Sequence, residues 1–187
     1  YFLSSIFKFN RRAAASPKEY KPVYAEFEKY ILHVGKNEFL TQIYLFTQVY
    51  FNTEVKNDRA QSPVQTYTLR SGECDDISAF IYHFAQKKGI PGELMLLERA
   101  DSVPKNRIFH MLFLHKEKSG STMIDQQYSV KTAYTNGGQI VCEHFKNTIF
   151  PRWLIVDPKP WVSGENDEAY CVYLMEKELK WHNRECK

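Results

Sequence analysis

The chain has no long hydrophobic run. Its most apolar stretch, Tyr1-Phe2-Leu3-Ser4-Ser5-Ile6-Phe7-Lys8-Phe9, is too short to span a bilayer. Charge of one sign is scarce too: the formal balance is +3 and the Lys and Arg are scattered, which excludes the basic footprint of a nucleic-acid binder. Cysteine is limited to Cys74, Cys142, Cys171 and Cys186. None stands close to another, so neither zinc-ligand spacing nor a CxxC redox pair is present. There is no internal repeat and no low-complexity tract. The first residue is not Met, which fits a processed or trimmed product and leaves a removed signal or anchor open.

What is present suits a single folded domain. The 187 residues can enclose a core, and 43% hydrophobic with 15% aromatic content excludes disorder. Residues 1–16 read as an irregular lead-in, 17–176 as one domain and 177–187 as a charged tail without chemistry. Ser16-Pro17-Lys18-Glu19 has the form of a capping box with proline at the first helical position. Helical periodicity then predicts helices over about 22–34, about 37–53 and from Cys74 to Gly89, with a loop over Asn57–Arg70. From Glu93 the pattern alternates. It predicts strands at Glu93–Glu98, Arg107–Lys116, Thr122–Tyr128, Gln139–His144, Trp153–Asp157 and Tyr170–Met175. Helices first and antiparallel strands second describe an α+β domain.

Ser71-Gly72-Glu73-Cys74-Asp75-Asp76 places a thiol at the first turn of an amphipathic helix. Free N–H groups and the positive helix end stabilise a thiolate there, the form that attacks electrophiles. Such a nucleophile needs a base, and the base an orienting group. His110 lies on the strand before Lys116-Glu117-Lys118-Ser119-Gly120, and Asp125 on the strand after it. If His115 pairs with Gly120, His110 falls directly opposite Asp125 and the two share a face. A second pair, His144 and Asp157, flanks Phe150-Pro151, where Pro151 complicates the register. Asp157 before Pro158 reads better as a strand-ending turn residue. His83, on the helix of Cys74 but two and a half turns along it, cannot reach the thiol.

Gly72-Glu73-Cys74-Asp75-Asp76, then Gly89-Ile90-Pro91 after the helix, and His110 and Asp125 on consecutive strands resemble the transglutaminase-like superfamily. The resemblance spans about residues 60–130 and is nearest to the bacterial transglutaminase-like cysteine proteinases. It implies a papain-like α+β core with helices packed on an antiparallel sheet. It also implies a Cys74–His110–Asp125 triad and a protein or peptide substrate cut through a thioester. The backbone N–H of Cys74 would form half of an oxyanion hole, with Gln65 as the second donor. Glu73, Asp75 and Asp76 suit a helix start, yet three negative charges would weaken the thiolate. A bound Ca²⁺ at these three residues, as the resemblance implies, would neutralise them.

Location is read in two ways. The resemblance implies a periplasmic setting. If Cys74 stays free, three cysteines remain that cannot all pair, which leans toward a reducing cytoplasm while allowing one disulfide. Two other functions compete with the peptidase: a transglutaminase, in which an amine replaces water, and a retired fold that only binds. The aromatic residues Tyr44, Phe46, Tyr50, Phe51 and Trp161 would face a partner in the last case.

Overall fold

The computed structural model describes residues 20–52, 61–99, 109–145, 150–158, 180–184 and 186. Its helices are α1 (Tyr20–His33), α2 (Lys36–Tyr50), α3 (Pro63–Leu69), α4 (Cys74–Lys87) and α5 (Gly137–His144). The strands are β1 (Glu93–Glu98), β2 (Phe109–Glu117), β3 (Gly120–Ile124), β4 (Ser129–Thr132), β5 (Arg152–Val156) and β6 (His182–Asn183). They form one antiparallel sheet in the order β4-β3-β2-β1-β5-β6. The expected lead-in, the Ser16 capping box and the Tyr170–Met175 strand lie outside the described residues.

Strand alternation explains the layering. Leu94 and Leu96 of β1, with Met111 and Phe113 of β2, join a core with Phe27, Phe46, Tyr67, Phe80 and Phe84 from α1–α4. Met95 and Leu97, with Leu112 and Leu114, point the other way and pack with Ile140 and Val141 of α5. The central strands are therefore covered on both faces, which is why β1 reads as an apolar run. Among the described residues no helix is long and apolar enough to cross a membrane.

Three expectations are corrected. Gln139–His144 is helical, because the Asn136 side chain caps the N–H groups of Gly138 and Gln139. Gly137 lets that helix lie on β5, since a Cβ there would come within 2.6 Å of the Trp153 ring. The loop over 57–70 contains α3, started by Ser62 with Pro63 at its first position and Gln65 closing a capping box. Finally, the charged tail is held on the sheet. β6 pairs with β5, Trp181 stacks on Phe109, and Cys186 is disulfide-bonded to Cys142.

That disulfide closes a span of 44 residues. Replacing both cysteines by serine is expected to cost about 4 kcal/mol through the freer unfolded chain. Chemical denaturation of the double variant against the oxidised parent measures it.

Candidate active site

Glu73 is the extended N-cap of α4, which makes Cys74 the first helical residue. Gly72 permits the tight entry, because a Cβ there would lie 2.8 Å from Cβ of Asp76. Cys74 is half-buried and free, and the N–H of Met111 points at its Sγ at 3.5 Å. Helix and strand are locked together one turn on, where buried Ser78 Oγ donates to the carbonyl of Met111 at 3.2 Å. Because Met111 directly follows His110, this bond fixes thiol and imidazole in one frame.

The β2–β3 register differs from the expected one by two residues. Glu117 pairs with Gly120, so only Lys118 and Ser119 form the turn and His115 faces Thr122. His110 and Asp125 are therefore diagonal rather than opposed. A shift of two keeps every side chain on its face, whereas a shift of one would have separated them. They meet: His110 Nε2 lies 2.6 Å from Asp125 Oδ2.

Asp125 is 3% exposed and firmly held. Its Oδ1 accepts the N–H of Gln127 at 3.1 Å, and its own N–H donates to the carbonyl of Tyr128 at 2.8 Å. Helix α2 clasps the same turn, with Tyr44 Oη donating to the Gln127 carbonyl and Gln48 Nε2 to that of Gln126. Tyr44, read from the sequence as a candidate surface aromatic, thus holds the turn. Phe46 and Phe51 belong to the core, and Trp161 lies outside the described residues.

Burial alone would pull His110 toward the neutral form. Hydrogen bonds with Asp125 and Cys74, and the negative charge of both, outweigh burial and hold its pKa up at about 10. The imidazole is thus protonated at neutral pH, an electrostatic partner for a thiolate. Since Nε2 faces Asp125, Nδ1 is the nitrogen left for Cys74. Phe150 stacks on the ring at 5.7 Å and Phe145 meets it edge-on, which shields the pair from water. Tyr128 lines the same side, and burial followed by the Asp125 charge pushes its phenol up to about 12. Ser78, Tyr128, Phe145 and Phe150 were missed in the sequence, where each reads as ordinary core.

The remaining candidates have other tasks. Gln65 Oε1 accepts the N–H of Ser62 at 2.7 Å in the α3 capping box. His144 ends α5 and Asp157 follows β5, which pairs with β1 and β6, so this pair shares no hairpin. His83 contacts Tyr24 at 3.4 Å. The three acidic residues do not converge. Asp76 is buried with Oδ1 accepting from Gln61 N at 2.7 Å and Oδ2 from Glu73 N at 3.1 Å. Both oxygens serve the protein's own backbone, and among the described residues no three metal-ligating side chains gather. A cleft of about 840 Å³ lies elsewhere, bordered by Trp153, His182 and the Cys142–Cys186 bridge.

Asp76 carries a stability signature. Burial, then the Asp75 charge, push its carboxyl from 3.8 up to about 7, against the two backbone donors. The folded state then holds a proton that the unfolded state has lost, and stability falls as pH rises between about 3.8 and 7. Denaturation midpoints across this window are expected to decline in the parent and to flatten in Asp76→Asn.

No protein-family model matches the chain, and no curated protein matches it. Three solved structures of Legionella pneumophila LapG are similar in fold. The EGTA-treated structure has a TM-score of 0.51 at 16% identity, covering 84% of this chain and 94% of that one. A second has 0.49 at 14%, covering 88% and 90%, and the calcium-bound structure has 0.47 at 16%, covering 70% and 77%. Only the first of these scores carries weight, and what it shows is the fold. The chain shares the α+β fold of that LapG structure, with N-terminal helices packed on an antiparallel sheet.

Proposed function

We propose that this protein is a cysteine peptidase or amide hydrolase that acts on a protein substrate through Cys74, His110 and Asp125. One observation carries the reading: a helix-opening thiol shares a frame with an imidazole held at 2.6 Å by a buried carboxylate. The Cys74 thiolate attacks an amide carbonyl and forms a tetrahedral adduct. The N–H of Cys74, at the helix start and without an intrahelical acceptor, is placed to stabilise its oxyanion. The adduct collapses to a thioester as His110 gives its proton to the departing amine. His110 then takes a proton from water, whose oxygen attacks the thioester, and keeps it as the acid leaves and the Cys74 thiolate is restored. Asp125 keeps Nε2 protonated throughout.

The steps above are carried by Cys74, His110 and Asp125. The Cys142–Cys186 bridge supports an oxidising compartment such as a periplasm. It supplies the one disulfide that the cysteine count allowed, while Cys171 lies outside the described residues.

The competing readings part in one assay. The protein is incubated with a reduced, unfolded protein digest and a tagged primary amine, beside Cys74→Ala. New peptide N-termini that depend on Cys74 are expected, without amine incorporation. Cys74-dependent amine incorporation would replace this reading by a transglutaminase. Neither product, together with an unreactive Cys74, would leave a binding module.

A further inference from the structure

The cleft of about 840 Å³ beside β5 and β6 is lined by Trp153, His182, Glu143 and both cysteines of the Cys142–Cys186 bridge. The bridge is therefore not sealed in a core. Cys186 is exposed, and Cys142 is half-buried in the cleft wall. The two sulfurs stand in different electrostatic settings. Arg184 Nε donates to Cys186 Sγ at 3.0 Å, so a cation already faces the atom on which a thiolate would form. Cys142 lies in the last turn of α5, at the negative end of the helix dipole and next to Glu143. Cys186 is thus the better leaving group, and Cys142 is the sulfur on which an attacking thiolate is retained.

The same bridge ties together the two elements that hold His110. Phe145, the C-cap of α5, meets the His110 ring edge-on at 6.3 Å. Phe150 stacks on that ring at 5.7 Å, and the two phenylalanines touch each other at 5.2 Å. Next to Phe150, the carbonyl of Pro151 accepts the Arg184 N–H at 2.7 Å. One end of the disulfide therefore sits on the helix that supplies Phe145, and the other on the tail that holds the approach of Phe150. With the bridge open, α5 and the tail lose their covalent tie, and the tail keeps a two-residue strand on β5.

We propose that the Cys142–Cys186 bridge is a site of reversible thiol–disulfide exchange with a dithiol that enters the cleft, and that its state sets the hold on His110. A thiolate of the dithiol attacks Cys142 Sγ. A mixed disulfide forms there as the Cys142–Cys186 bond breaks, and the electron pair of that bond leaves on Cys186 Sγ beside Arg184. The second thiolate of the dithiol then attacks its own bridged sulfur, and the pair leaves on Cys142 Sγ. The dithiol is oxidised to a disulfide, the bridge is reduced by two electrons, and the two thiolates take protons from water. The effect on turnover rests on the proposed function; the exchange itself and the change around His110 do not.

Two measurements on the full chain test this. In the first, Cys74→Ala is treated with reduced glutathione, capped with N-ethylmaleimide and mapped by mass spectrometry. Glutathione is expected on Cys142 with maleimide on Cys186, in excess of the reverse product by about threefold or more. Arg184→Gln is expected to slow the exchange and erase that excess. In the second, the parent is titrated with dithiothreitol while the His110 ring resonances, far-ultraviolet circular dichroism and peptide cleavage are followed. The His110 resonances are expected to shift as the bridge opens, with the circular dichroism unchanged. In step with them kcat is expected to fall by about tenfold or more, with little change in KM. Cys142→Ser/Cys186→Ser is expected to match the reduced parent and to ignore dithiothreitol; if it fails to fold, the titration of the parent decides. A parent that cleaves nothing in either state sinks the peptidase reading, and the adduct map and the His110 resonances still judge the switch. Adducts mainly on Cys186, or bridge opening that leaves the His110 resonances in place, overturn the proposal.

Discussion

Replacing Cys74 by alanine is expected to abolish cleavage, with a loss of at least about a thousandfold in kcat/KM, while the melting temperature barely moves. The thiol is half-buried, with the Met111 N–H at 3.5 Å and the His110 imidazole as polar partners, and alanine removes only its sulfur from the packing. The loss falls on the chemistry. Alkylation by iodoacetamide checks the nucleophile directly. Cys74 is expected to react faster than a model thiol across pH 5–8, while the bridged Cys142 and Cys186 do not react at all. If Cys74 alkylates no faster than a model thiol across pH 5–8, the nucleophile assignment is wrong.

How far the sequence foretold this arrangement depended on the length scale of each signal. The start of α4 at Cys74 was readable because Gly72, the acidic turn and the apolar stripe of Ile77, Phe80, Ile81 and Phe84 all agree. β1 was readable as well, since a strand buried on both faces leaves one uninterrupted apolar run. The His110–Asp125 pairing survived a register error because side chains alternate with period two. Turn length, by contrast, is set by local backbone geometry that Lys118 and Ser119 do not advertise. α3 escaped notice although Ser62-Pro63-Val64-Gln65 carries the same start signal as Ser16-Pro17-Lys18-Glu19; seven residues are too few to show a period. α5 was mistaken because Ile140 and Val141 are β-branched, and the Asn136 cap with the Gly137 contact to Trp153 overrides that preference. β6 has two residues, too few to show a period, and its pairing with β5, the disulfide and the stacking of Trp181 and His182 join it to the sheet.

Replacing Asp125 by asparagine is expected to lower kcat by about ten-thousandfold with little change in KM. The substitution is nearly isosteric, and Oδ1 can still accept from Gln127 N, so the turn survives. What changes is the atom facing His110. An amide NH₂ in place of Oδ2 donates, so Nε2 must become an acceptor and the proton moves to Nδ1. That nitrogen faces Cys74 and, once protonated in a neutral ring, cannot take the thiol proton. The pH dependence supplies an independent check. In the parent, Asp125 is foremost among the groups that raise His110 to about 10. Because His110 binds its proton more tightly folded than unfolded, the pair contributes stability in full below about 6.5, and this is lost as pH rises toward 10. In Asp125→Asn that contribution disappears, so denaturation midpoints of parent and variant are expected to differ most below pH 6.5 and to converge above 10. The alkaline limb of the activity profile moves to lower pH in the same variant, because the imidazolium is surrendered earlier. A variant that keeps the parental alkaline limb would mean that Asp125 holds the turn and does not orient the base.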